Sequence, residues 1–159
     1  MPRRTTLTIG LGLAAVFALG LAAGAWVSAD RAQRRERAGT EALAAANAAT
    51  TAIFSYDYRG FDASVANGRQ FVTGDFADEY AQTTATLKPA AEKEQAVVRA
   101  EVSAAAVVDA SPGQVEILLY VNQYRRNVNI TGEKVDQNRV VLTLVSVDGR
   151  WKVSHALAI

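Results

Sequence analysis

The stretch YDYRGFD, Tyr56 to Asp62, places two carboxylates, two tyrosines and an arginine within seven residues. General acid–base chemistry would need one of these carboxylates in an apolar pocket, with a partner aimed at the same atom. On a helix, adjacent Tyr56 and Asp57 point about 100° apart and do not converge. Asp62 stands where a helix N-cap is wanted, ahead of a segment carrying Val65, Arg69 and Val72. The stretch therefore reads as a junction between two helices, and no catalytic residue is assigned in it.

The other candidates are sparse. His155 is the single histidine and alternates with Trp151, Val153 and Leu157, which puts it on the core side of a strand. Ser154 points to the opposite side, so the two form no nucleophile–base pair. A metal site needs several His, Cys or carboxylate ligands at short spacing, and the sequence offers no such cluster. No metal and no cofactor are expected. Gly10, Gly12 and Gly68 fit no phosphate-binding pattern. With 17 basic and 16 acidic residues, the chain has no electrostatic footprint for nucleic acid. The absence of cysteine excludes disulfides and thiol catalysis.

The first element is a membrane run. From Thr5 to Ala29 there is no charge, and Leu7 to Val27 as a helix would span roughly 31 Å, the thickness of a bilayer's hydrocarbon layer. Val27-Ser28-Ala29 has the small residues of a signal-peptidase site, but a cleaved signal has a shorter apolar core, about 7–15 residues. The reading is an uncleaved single-pass anchor in the cell membrane, residues 1–29, with residues 30–159 as an extracytoplasmic domain. Gly20, Gly24 and Ser28 recur every four residues, a small-residue face through which anchors could self-associate. Arg31, Arg34, Arg35 and Arg37 either meet anionic headgroups or form a solvated first turn.

Beyond the anchor, Arg31 to Tyr58 reads as one long helix, with Ala42, Leu43, Ala46, Ala49, Thr50, Ile53 and Tyr56 on one face. A short helix from Asp62 ends at Gly74, and a third, capped by Asp75, is ended or kinked by Pro89. The period then changes to two, giving four strands. Ser111-Pro112-Gly113 joins the first pair, with Val108 opposite Val115, Ala106 opposite Ile117 and Ala104 opposite Leu119. Asp148-Gly149 predicts a type I′ hairpin that sets Ser146 against Trp151, Leu144 against Val153 and Leu142 against His155. Trp151 is expected to be buried against Leu144 and the first helix. The architecture is α+β, three helices packed on a curved four-stranded antiparallel sheet.

This order suggests the cone-shaped fold shared by ketosteroid isomerase and nuclear transport factor two. Tyr56-Asp57-Tyr58 with Phe61-Asp62 is followed by Thr73-Gly74-Asp75-Phe76, Val121-Asn122-Gln123 and Asp148-Gly149-Arg150-Trp151-Lys152-Val153. In these features, over nearly its whole length, the chain resembles the Mce-associated membrane proteins of actinobacteria. The resemblance implies an accessory subunit of an envelope lipid- or sterol-import complex, with no catalytic residues to carry over. Two alternatives stand beside it: a scaffold subunit of a conjugation or secretion machine, and a lipid carrier or isomerase-like enzyme using the cone interior.

The outer sheet face is the expected partner surface. Leu118, Tyr120, Val141, Thr143 and Val145 all fall opposite the core side. A solvated antiparallel face should be mostly polar, and this one is not.

Overall fold

The computed structural model describes the backbone of residues 3–159 and the side chains of residue 26 and residues 28–159. Helix α1 is Arg3–Phe54. Among the described residues no helix is long and apolar enough to cross a membrane. The side chains of the predicted span, Leu7 to Val27, lie outside the described ones apart from Trp26, and Gly20 and Gly24 fall in that span. Further along, α1 turns Ala38, Ala42, Ala46, Ala49 and Ile53 into the core. Side chains this small let the helix lie close on the sheet, and Ala42 and Ala46 are fully buried.

The helix was expected to reach Tyr58, and it stops at Phe54. No residue there breaks helices, so the cause is tertiary. Ser55 Oγ accepts a hydrogen bond from the Ala100 amide at 2.9 Å. Tyr56–Asp57 then forms a two-residue strand, β1, opposite Val97 and Val98. A 3₁₀ turn, Tyr58–Gly60, follows, with Asp57 accepting from the Arg59 amide at 2.9 Å. Because that turn leads straight into α2, Phe61–Arg69, the N-cap is Gly60. Asp62 is therefore not the cap. It lies in the first turn and accepts from Lys88 Nζ at 2.6 Å.

Helix α3 is Asp75–Glu94, with Gly74 at its N-cap in place of the predicted Asp75. Gly74 has φ 59°, a conformation that favours glycine. Pro89 was expected to end or kink this helix, and α3 runs past it. Ala91, two residues on, is buried with Phe61 and Ala96, and that packing offsets the hydrogen bond a proline cannot make. Gly68 lets α2 pack tightly beneath α3. A Cβ there would overlap the Tyr80 hydroxyl and stand 3.0 Å from the Ala52 carbonyl oxygen. Gly68→Ala is expected to cost about 1–3 kcal/mol, read as a lower urea midpoint at unchanged slope.

Strands β2 (Val97–Ala110), β3 (Gln114–Arg126), β4 (Lys134–Val147) and β5 (Arg150–Ala158) complete one antiparallel sheet in the order β1-β2-β3-β4-β5. The fold is the expected α+β layer, with β1 as a fifth strand. Its inner face is Val115, Ile117 and Leu119 on β3, Leu142 and Leu144 on β4, and Val153, all 0% exposed.

Three register shifts separate the sheet from the predicted pairings. At the β2–β3 turn Ala110 already lies opposite Val115, two residues from the predicted Val108. The unpaired Val108 and Ser103 each take back one residue of that offset, so Val107 lies opposite Ile117 and Ala105 opposite Leu119. The Asp148-Gly149 turn has both φ angles positive, as a type I′ hairpin requires. Its register holds through Leu144 and Val153, and then Ser154 is the extra residue. The Ser154 hydroxyl donates to the Thr143 carbonyl at 3.2 Å. Beyond this bulge Thr143, not Leu142, faces His155. His155 is consequently exposed, not in the core, and Leu157 is 52% exposed. Trp151 is half-buried, its Nε1–H donating to Glu41 of α1 at 3.4 Å.

Candidate functional site

The five predicted partner-surface residues share the outer face. Along β3 the buried Val115, Ile117, Leu119 and Val121 alternate with Glu116, Leu118 and Tyr120. Along β4 the buried Val140, Leu142 and Leu144 alternate with Val141, Thr143 and Val145. Leu118 faces Val141, Tyr120 faces Arg139, and Glu116 faces Thr143. The β5 bulge adds a residue that the sequence pattern had placed in the core: Leu157 faces Val141. Ala106 faces Leu118 on the other side.

An apolar row, Ala106–Leu118–Val141–Leu157, thus crosses four strands. Tyr120, 46% exposed, and Arg139 border it on one side; Glu116, Thr143 and His155 border it on the other. An apolar centre inside a polar and charged rim is the anatomy of a protein interface. Tyr124 is already engaged, since the Arg99 guanidinium stacks over its ring at 4.4 Å.

The inner side of the fold holds a cavity of about 270 Å³. Phe54 of α1, Phe61 and Val65 of α2, and Phe76 and Leu87 of α3 supply its apolar wall. Tyr56, Tyr80 and Gln123 also line it. Burial raises the pKa of both phenols above the usual tyrosine value, with Arg125 opposing the shift at Tyr56 and Arg69 at Tyr80. Both hydroxyls are therefore protonated at neutral pH.

YDYRGFD divides between the two sides. As strand neighbours, Tyr56 and Asp57 point to opposite faces. Tyr56 faces the cavity and meets Phe61 edge-on at 5.4 Å between ring centroids. Asp57 instead holds Arg59, whose Nε donates to Oδ1 at 3.0 Å, and these hydrogen bonds lower the carboxyl's pKa below the ordinary aspartate value. Among the described residues, no group of three or more His, Cys, Asp or Glu is placed to hold a metal ion.

Comparison with known proteins decides the family. The family model described as "Uncharacterized protein Rv1363c/MT1408-like" matches residues 4–157. The chain belongs to this family. A curated relative of this Rv1363c/MT1408-like chain is the uncharacterized protein Rv1362c of Mycobacterium tuberculosis, 31% identical over 118 residues. That match covers 74% of this chain and 54% of the relative, so the chain spans about half the relative's length. Another is the M. tuberculosis outer membrane protein Rv1973, 34% identical over 119 residues and 74% of each chain.

Among solved structures, an IcmL-like type IV secretion system protein from Legionella pneumophila superposes with TM-score 0.62 at 17% identity. It covers 74% of this chain and 88% of that one. CagV, a VirB8 homolog of the type IV secretion system of Helicobacter pylori, gives 0.60 at 9% identity, covering 73% and 94%. At such identities the likeness is one of fold.

Proposed function

We propose that this protein is a non-enzymatic accessory subunit of a cell-envelope assembly, anchored by its N-terminal run and docked on its partners through the outer sheet face. The observation that carries the reading is the apolar row Ala106–Leu118–Val141–Leu157, rimmed by Tyr120, Arg139 and Glu116. An envelope setting is supported by the relative named an outer membrane protein and by a structural neighbour that is a periplasmic domain, that of DotI. Protein partners are supported by neighbours that are components of type IV secretion systems.

For the finer assignment, the motif resemblance to Mce-associated proteins points to a lipid- or sterol-import complex, with the domain extracytoplasmic on a single-pass anchor. The second reading, a secretion-type scaffold, is favoured by the fold of those neighbours. Purifying the full chain from its native membrane and identifying co-purifying proteins by mass spectrometry separates the two. Import-complex subunits are the expected companions. Secretion or conjugation components would replace the first reading by the second, and a protein that leaves the membrane alone would overturn both.

A further inference from the structure

Along β3 and β4 the inner sheet face changes chemistry part-way. Leu119, Val121 and Val140 are buried and apolar. Beyond them the same face carries Gln123 and Arg125 on β3, with Asn138 and Asp136 on β4. Asn138 Nδ2 donates to Gln123 Oε1 at 3.0 Å, and Arg125 pairs with Asp136 at 2.9 Å. At this end the face is only partly covered, with Gln123, Arg125 and Asp136 half-buried and Asn138 exposed, so a polar head bound here would meet both these groups and water. This polar ladder lies at the cavity's end, since Gln123 belongs to both.

The cavity is thus an apolar chamber with a hydrogen-bonding exit. At about 270 Å³ it lies just under the ~300–1,000 Å³ typical of small-molecule sites, which suits one hydrocarbon chain and not two. Among the described residues neither the Tyr56 nor the Tyr80 hydroxyl has a hydrogen-bond partner, and the buried Arg125 Nε has none either, leaving donors for an acceptor oxygen. The lining includes Glu79 and no Lys or Arg. Arg125, the cation at the exit, is already paired through its Nη2 with Asp136, which Lys134 also approaches at 3.8 Å, while Glu79 and Glu94 bring negative charge to the same cavity end. A carboxylate head would therefore find repulsion and no free counter-charge.

We infer that this cavity binds a neutral single-chain amphiphile, its hydrocarbon chain between α2 and α3 and its hydroxyl or ester head toward Gln123 and Asn138. The site lies on the opposite side of the sheet from the proposed docking face and does not depend on that reading.

The test uses the full chain in phosphatidylcholine nanodiscs and two photoreactive probes, monodecanoylglycerol and decanoic acid, each with a diazirine near the chain end. Mass spectrometry of the irradiated protein should place the glycerol probe on residues 53–65 and 76–87, with labelling suppressed by unlabelled monodecanoylglycerol. The acid should label about tenfold less, the equivalent of one unpaired charge at the exit. Val65→Trp fills the chamber, and Thr83→Trp blocks it from an exposed rim position. Both should lower labelling about tenfold, and Thr83→Trp should do so at an unchanged melting temperature. Labelling confined to residues 7–27, or persisting in the folded Thr83→Trp protein, overturns the site. Equal labelling by the acid overturns the neutral-head assignment.

Discussion

Replacing Leu118 and Leu157 together by lysine should strip the protein of its partners while its melting temperature moves by no more than about 2 °C. Both side chains lie on the outer face; Leu157 is already 52% exposed, and at the half-buried Leu118 a lysine can keep its hydrocarbon stem on the sheet while its ammonium reaches water. Surface changes of this kind usually stay within about 0.5 kcal/mol. Val141 lies between the two positions in register, which sets the lysines two strands apart, about 10 Å, where their repulsion is largely screened. In an interface the same charges would be desolvated without counter-charges, and interface cores are depleted of lysine for that reason. Co-purification from native membranes is the readout, with Thr83→Trp as the control that alters only the opposite side. Full partner recovery with both lysines present would sink the docking reading. His155→Gln is no neutral control, because His155 borders the row beside Thr143.

The largest loss of stability is expected for Leu119→Ala. Leu119 is fully buried at the centre of the inner face, between Ala105 of β2 and Val140 of β4. Truncation should cost about 2–5 kcal/mol, a large part of the 5–15 kcal/mol that holds a domain of this kind together. Trp151→Ala should cost less despite the larger side chain. Its ring is only half-buried, and its hydrogen bond to Glu41 is long at 3.4 Å. Chemical unfolding of the two variants side by side gives the order directly. A costlier Trp151→Ala would mean that the contact between α1 and β5, and not the sheet centre, anchors the fold.

What the sequence made legible follows from which signals are local. The two-residue period of β3 and β4, the Asp148-Gly149 turn and the apolar stripe of α1 from Ala42 to Ile53 are short-range patterns, and each matches the structure. The features missed depend on distant residues. Nothing between Ile53 and Tyr58 says that Ser55 will hydrogen-bond to Ala100 and draw Tyr56–Asp57 into the sheet. Nothing near Pro89 says that Ala91 will be held by Phe61. The bulge at Ser154 left the five predicted surface residues in place and added two expected in the core, since it turned Leu157 and His155 outward. For the same reason the outer face was visible and the cavity was not. A face needs only alternation, whereas the chamber needs the end of α1, α2 and α3 brought together.

The bulges at Ser103 and Val108 carry a further consequence. Past its two-residue pairing with β1, β2 is the open edge of the sheet, and its sequence there is alanine and valine with few charges. Such an edge invites strand-by-strand growth into aggregates. The two extra residues break the regular ladder of outward amides and carbonyls, leaving only the short run Ala104 to Val107 between them. An uncapped, apolar strand can thus stay at the sheet edge without templating the strand of a second copy.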